Sequence, residues 1–284
     1  MQNERFKRIT TKKCLYNVLV IAFGFIMIYP VLWMMSGSFK DNSEILRGTL
    51  SLIPKNVKIS NYVTGWKGFS GISFARFFLN SFVITGIATF GTVISSALVA
   101  YALARIKFVG RKFWFTCMLV TMMLPSQVIM IPSFLIWYKV GLANSYVPLI
   151  LPYFCGQAFF IYQMMQFMKG IPRELDEAAT IDGCSKYKIF TRIILPLLKP
   201  SIVTTVIIQF YWKWDDYMGP LLYLNKPESY TASLAIKMFA DSSSKTDYGA
   251  MFAMSTISLI PVLVIFLIFN KHLVEGIGSS GLKS

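Results

Sequence analysis

Two clusters of ionisable residues stand out in a chain otherwise poor in charge. The first is Ile171-Pro172-Arg173-Glu174-Leu175-Asp176-Glu177-Ala178-Ala179-Thr180-Ile181-Asp182-Gly183, a segment far too polar to enter lipid. Glu174, Glu177 and Ile181 are spaced i, i+3 and i+7 and fall on one face of a helix. Ala178 and Ala179 leave room for another backbone to come close, so the segment suits docking into a groove on a partner protein. The same pattern also fits a helix lying at the membrane surface and packed on the protein's own spans. The second cluster is Tyr211-Trp212-Lys213-Trp214-Asp215-Asp216-Tyr217, three ionisable groups inside an apolar stretch. Each costs about 2.5 to 3.5 kcal/mol at the centre of a bilayer, so such groups face a wet or protein-lined interior. Trp212, Trp214 or Tyr217 offer aromatic faces for stacking on a solute, while Lys213, Asp215 or Asp216 offer hydrogen bonds. Alternatively Lys213 and Asp216, three residues apart, neutralise one another, and the tryptophans mark a membrane interface.

Other chemistry is missing. No G-x-x-x-x-G-K-[ST] loop is present, so the chain does not itself cradle ATP in the usual way. Neither H-E-x-x-H nor G-x-S-x-G occurs, and the single histidine, His272 beside Lys271, reads as an interfacial side chain without a ligand. Cys14, Cys117, Cys155 and Cys184 have neither a paired nor a metal-ligand spacing. The chain is therefore not expected to be an enzyme, to hold a metal or to carry a cofactor of its own.

The elements that must position these clusters are membrane helices. Of 284 residues, 55% are hydrophobic and 14% charged, with a mean hydropathy of +0.56, outside the balance of a soluble domain. Apolar stretches of about 20 residues, enough to cross a hydrocarbon core, recur at 15–35, 77–103, 113–137, 146–168, 201–224 and 250–269. The expectation is an all-α membrane protein of six transmembrane helices. Its cytoplasmic N-terminal segment is 1–14, its helical domain 15–270 with a polar loop at 169–199, and its C-terminal tail 271–284. Pro125, Pro132, Pro148 and Pro152 interrupt the third and fourth spans and predict kinks there. The first stretch lacks a small-residue cleavage site and is read as a retained helix. Counted with the N-terminus inside, seventeen Lys and Arg lie on cytoplasmic segments and ten outside, so both termini are placed in the cytoplasm of a multi-pass cell-membrane protein. This distribution accounts for the net charge of +15 without nucleic-acid binding, for which there is no domain.

Within the polar loop, Pro172 suits a helix start, and Glu174, Asp176 and Glu177 place negative charge at the positive end of the macrodipole. Gly183 stops this helix, and Ser185 caps a second one through Ile194 until Pro196 and Pro200 intervene. Two short helices at an angle are predicted.

The spacing Glu177-Ala178-Ala179, three residues, Gly183, nine residues, Ile193, one residue, Leu195-Pro196 resembles the "EAA" signature of permease subunits in ATP-binding-cassette (ABC) importers. Tyr29-Pro30, Asn80-Ser81, Ala100-Tyr101-Ala102-Leu103-Ala104-Arg105, Met123-Leu124-Pro125, Gly141-Leu142-Ala143-Asn144-Ser145-Tyr146, Trp214-Asp215 and Val274-Glu275-Gly276-Ile277 resemble its carbohydrate branch, the one containing the maltose transporter permeases. The resemblance implies a type I importer permease fold and a heteromeric complex with a second permease subunit, two ATPase subunits that use ATP and Mg, and an external sugar-binding protein. It implies that Glu174, Glu177, Ala178, Ala179, Ile181, Asp182 and Gly183 form a coupling helix seated on an ATPase subunit. It also implies that the tail, Gly281, Leu282 and Lys283, reaches between the ATPases, although the ending departs from the family's pattern at Leu282 and Ser284. Trp212, Lys213, Trp214, Asp215, Asp216 and Tyr217 become candidates for the substrate pathway. That run, with Tyr248-Gly249-Ala250-Met251-Phe252-Ala253-Met254, looks most like permeases for polysaccharide fragments, including uronate-bearing oligosaccharides. A proton-coupled secondary transporter using Asp215 and Asp216 is the alternative. The 40–76 loop either touches the external binding protein, covers the entrance, or is simply solvated.

Overall fold

The computed structural model describes residues 2–48, 50–240 and 246–281, with side chains described at 13, 16–48, 50–240 and 246–269. Lys271, His272 and the tail residues Gly281, Leu282 and Lys283 are therefore outside the described side chains. Among the described residues there is no strand, only an isolated bridge between Phe69 and Ile72. Two compact units emerge, one of Met1–Phe74 with Ile236–Ser258 and one of Ala75–Ala235 with Leu259–Ser284.

The first unit begins with α1 (Gln2–Gly37), whose stretch Tyr16–Gly37 is long and apolar enough to cross a membrane and presents its side chains outward. Beyond it come α2 (Asn42–Leu46) and α3 (Ser60–Lys67). The chain turns back over the end of α1 and is clasped there. Tyr29 Oη donates to Leu50 O (2.5 Å), Ser36 Oγ to Leu52 O (2.5 Å) and Lys40 Nζ to Ser51 O. Lys40 is 1% exposed, and its ammonium lies 5.9 Å from the centre of the Trp33 ring; a carbonyl and a π face replace its water. Asn61 of α3 gives both amide hydrogens to Ser38 O (2.9 Å) and Lys40 O (2.8 Å). A Cβ on Gly65 would stand 2.8 Å from Met254 Cε, so α3 comes close only because that residue is glycine. Within residues 40–74 the chain is thus held back on the end of α1, while most of the described residues of 46–60 remain exposed.

The second unit is built on α4 (Phe74–Arg105), an unbroken helix. After it come α5 (Arg111–Met123) and α6 (Ser126–Lys139), which together pass for one span but are bent by 102°. The bend falls at Leu124 (φ −80, ψ 121) because Pro125 excludes its predecessor from the helical region. Next are α7 (Val147–Ile150), a 3-10 turn Leu151–Phe154 and α8 (Ala158–Lys169). Pro148 and Pro152 stand at the starts of α7 and of the 3-10 turn, where a missing N–H costs little. Then follow α9 (Glu174–Ile181), α10 (Lys186–Ile189), a π turn Phe190–Ile194, α11 (Leu195–Leu197) and α12 (Lys199–Trp214). In the π turn Leu195 N–H reaches Phe190 O, one residue further back than in an α-helix, immediately before Pro196. The run Lys186–Leu197 meets α12 at 73°. Finally come α13 (Met218–Tyr223), α14 (Ala232–Met238) and α15 (Tyr248–Gly281).

Among the described residues, four helical stretches are long and apolar enough to cross a membrane, and up to six when each bent pair counts as one. Five of the expected stretches fall within them to within a residue, but the stretch at 201–224 is covered only as far as Trp214, where α12 ends, and α13 begins at Met218. The core of this unit joins Ala97, Ala100, Tyr101 and Ala104 of α4 to Met164, Met165 and Met168 of α8 and to Ala179, Phe190 and Ile194 of the polar loop.

Candidate functional site

The polar loop folds as two short helices. In α9, Glu174, Asp176 and Glu177 occupy the first turn, where their charge opposes the macrodipole. Its end is a Schellman stop: Gly183 N donates to Thr180 O (3.1 Å), Cys184 N to Ala179 O (2.9 Å), and Gly183 has φ +76. Ser185 then caps α10 by accepting from Lys188 N at 3.3 Å. Glu174, Glu177, Ala178, Ile181 and Asp182 are exposed, Ile181 at 87%, and Leu175 and Tyr187 add exposed apolar surface beside them. Ala179 points the other way, into the chain's own core. One face of α9 thus offers two carboxylates around an apolar knob, while the opposite face holds the helix to the protein.

That hold depends on residues whose role was not legible beforehand. Arg105, at the last turn of α4, has a side chain only 4% exposed. Its Nη2 donates to Met168 O (2.6 Å) and Ile171 O (2.7 Å), and its Nη1 lies 3.1 Å from Asp176 Oδ2. Arg173 Nη2 donates to Ala104 O (3.3 Å), and Tyr101 Oη donates to Lys186 O (3.1 Å). Burying a guanidinium is tolerated where backbone carbonyls accept from it and a carboxylate balances its charge, although among the described residues Nη1 and Asp176 Oδ1 make no hydrogen bond. The only advance signal was an arginine closing a long apolar helix, with an aspartate placed inward of Glu174 and Glu177.

The second cluster is arranged differently. Lys213 Nζ lies 2.7 Å from Asp216 Oδ2 and 4.9 Å from the centre of the Tyr153 ring, with a side chain 3% exposed. Asp216 Oδ1 also accepts from Gly219 N (2.9 Å), which starts α13 after the break. Trp214 is 6% exposed, stacked on Phe210 at 5.5 Å and edge-on to Phe78 (5.2 Å) and Phe82 (4.8 Å). Trp212 is half exposed beside Phe159 and Phe160, Asp215 is exposed, and Tyr217 is half-buried. Of the six residues singled out here, Lys213, Trp214 and Asp216 are engaged within the chain, whereas Trp212 and Asp215 present accessible surface. Among the described residues no group of His, Cys, Asp and Glu could hold a metal ion.

Comparison with known proteins agrees with this architecture. The family model described as "Binding-protein-dependent transport system inner membrane component" matches residues 92–279, which include the polar loop and α12. The probable ABC transporter permease protein YurM of Bacillus subtilis is 35% identical over 256 residues, covering 90% of this chain and 83% of that protein. The arabinooligosaccharides transport system permease protein AraQ of the same organism is 32% identical over 259 residues, covering 90% of each. A crystal structure of a bacterial ABC transporter involved in the import of the acidic polysaccharide alginate contains a chain with the same fold. Its TM-score is 0.80 at 22% identity, and the match covers 91% of this chain and 95% of that one. The resemblance to sugar importer permeases and to their type I fold therefore holds.

Proposed function

The chain belongs to the binding-protein-dependent transport system inner membrane component family, and from that membership we propose that it is one permease subunit of an ABC importer for oligosaccharides. It lines half of a translocation pathway, pairs with a second permease subunit and receives solute from an external sugar-binding protein. Two partner ATPases hydrolyse ATP with Mg as their cofactor, and both of its termini lie in the cytoplasm. The observation that carries the reading is the exposed face of α9. Glu174, Glu177 and Ile181 project from a helix whose other face is locked to α4 and α8, so a push on that face moves the protein and not merely a loop. Ala178, Asp182 and Gly183 complete the surface, while Ala179 anchors it from behind. Gly281, Leu282 and Lys283 are assigned a reach between the two ATPases on their resemblance to the family's ending.

For the cargo, a relative named for arabinooligosaccharides and a fold neighbour named for alginate support oligosaccharides, including uronate-bearing ones. Lys213, the one cation of the fifth span, is committed to Asp216, so selection for a uronate falls to the external protein. The proton-coupled alternative loses ground at the same place, since one of its two carboxylates is already paired. Uptake into proteoliposomes tests the proposal directly. Transport is expected only when ATPases, binding protein and ATP are all present; uptake that persists without the ATPases and collapses with an uncoupler would defeat it.

A further inference from the structure

The two ends of α4 grip two segments far apart in sequence. At one end Arg105 holds Met168 O, Ile171 O and Asp176, Tyr101 holds Lys186 O, and Ala104 O receives Arg173. The chain on both sides of the docking helix is thus pinned to the last turn of α4. At the other end Asn80 gives both amide hydrogens to Glu228 O and Tyr230 O (2.9 Å each), and Ser81 Oγ accepts from Ala232 N at 2.8 Å. Ser233 Oγ in turn donates to Asp216 O (2.7 Å), and Asp216 holds Lys213. From Asn80 to Arg105 the helix runs about 37 Å at 1.5 Å per residue, more than a hydrocarbon core of about 30 Å. Neither proline nor bend interrupts it. The covalent route from α9 to α12 is less direct, passing through a π turn, Pro196 and a 73° bend.

We propose that Arg105 is the positioning residue of the docking helix, and that α4 carries that helix's displacement across the membrane to the 228–233 segment gripped by Asn80 and Ser81. This rests on the docking role of α9 proposed above. Arg105 suits the task because its Nη2 donates to two carbonyls just ahead of α9 while its Nη1 pairs in charge with a carboxylate within that helix. A lysine ammonium cannot meet all three in that geometry. Asn80 is the counterpart at the far end: its amide closes on two carbonyls of one turn, so the turn follows the helix.

The test uses the complete importer, reconstituted with its ATPases and binding protein. The quantity read is the ratio of ATP hydrolysis with liganded binding protein to hydrolysis without it. Arg105→Gln is expected to lower that ratio by about fivefold, and Arg105→Lys by less. Asn80→Ala touches nothing in the docking loop, yet is expected to lower the ratio comparably. The double variant is expected to fall no further than the worse single one, because both act through one chain of contacts. A merely structural staple at Arg105 would reduce the yield of complex and leave the ratio of the assembled fraction unchanged. Should Arg105→Gln fail to assemble, Asp176→Asn, which removes the charge and leaves both carbonyl contacts, and Asn80→Ala carry the test. A wild-type ratio in assembled complexes, or single effects that multiply in the double variant, overturns the proposal. Docking is checked separately by co-purification of the ATPases with Ile181→Asp. If they are retained at wild-type level the docking role fails and this inference with it; if they are lost, the ratios judge α4 alone.

Discussion

The polar loop around α9 and the break after α12 use the same residue types in opposite ways. In the loop, Glu174 and Glu177 face outward, and only Asp176 turns in, to Arg105. At the end of α12, Lys213 and Asp216 close on each other, Trp214 is buried among phenylalanines, and Tyr211, Trp212 and Asp215 are left accessible. Charge placed outward with an apolar centre leaves an exposed surface, the one proposed above for a partner; charge paired inward makes a joint. Helical spacing alone does not separate the two cases, since i, i+3 pairs occur in both. What separates them is whether a complementary group stands within reach on the same chain.

The contrast can be attacked at several points. The largest effect is expected from Glu177→Lys, which inverts the docking surface. Uptake and coupled ATP hydrolysis in proteoliposomes should fall at least about tenfold, as for reversing a charge at an interface, with membrane insertion intact. Gly183 sharpens the point, because open space surrounds it and its difficulty is backbone conformation alone. Gly183→Val should uncouple the importer nearly as well, at a conformational cost of about 1 to 2 kcal/mol, whereas Gly183→Asn, which tolerates φ +76, should retain most transport. Trp214→Ala should cost about 3 kcal/mol through lost packing, read as lower thermal stability and lost assembly, while the half-exposed Trp212→Ala leaves assembly intact. A complex that assembles normally with Trp214→Ala but fails to transport would break the distinction drawn between these two tryptophans.

Smaller again is Asp216→Asn, which keeps the cap on Gly219 but strands a buried ammonium, at about 2 kcal/mol. Adding Lys213→Met should restore most of that loss, and uptake should survive in the double variant; abolished uptake there would revive a proton-carrying role for the pair. The smallest effect is expected at Lys58, exposed and 2.6 Å from Asp41. The hydrogen bond to Asp41, and next its charge, raise the Lys58 pKa above its ordinary value of 10.5. A raised lysine stabilises fully below its unfolded value and loses that contribution only as pH rises through the higher folded one. Lys58→Ala should therefore change stability by no more than about 0.5 kcal/mol, constant between neutral pH and the alkaline limit.

Much of this was legible in sequence, for identifiable reasons. Long apolar stretches, the prolines and the glycine stop act locally, so the spans, the bend after Leu124 and the end of α9 were all readable. The stretch at 201–224 misled because hydropathy continues past Trp214, whereas the helix stops where Asp216 finds Lys213 behind it and Gly219 N ahead. The inward turn of Ala179 and the reach of Arg105 were hidden for another reason. Their partners are a buried core and the backbone carbonyls of Met168 and Ile171, supplied by another helix and carrying no sequence label. The hold on residues 50–52 was missed likewise, since Tyr29, Ser36 and Lys40 bind carbonyls.

The π turn at Phe190–Ile194 sets a phase. One surplus residue in a helix advances everything before it by about 100° around the axis relative to everything after it. The azimuth at which α10 and its exposed Tyr187 leave the protein is therefore tuned by a single extra peptide unit, much as an offset key aligns two shafts. Removing one residue there would regularise the helix and turn α10 away from the Tyr101 hydroxyl that holds Lys186 O.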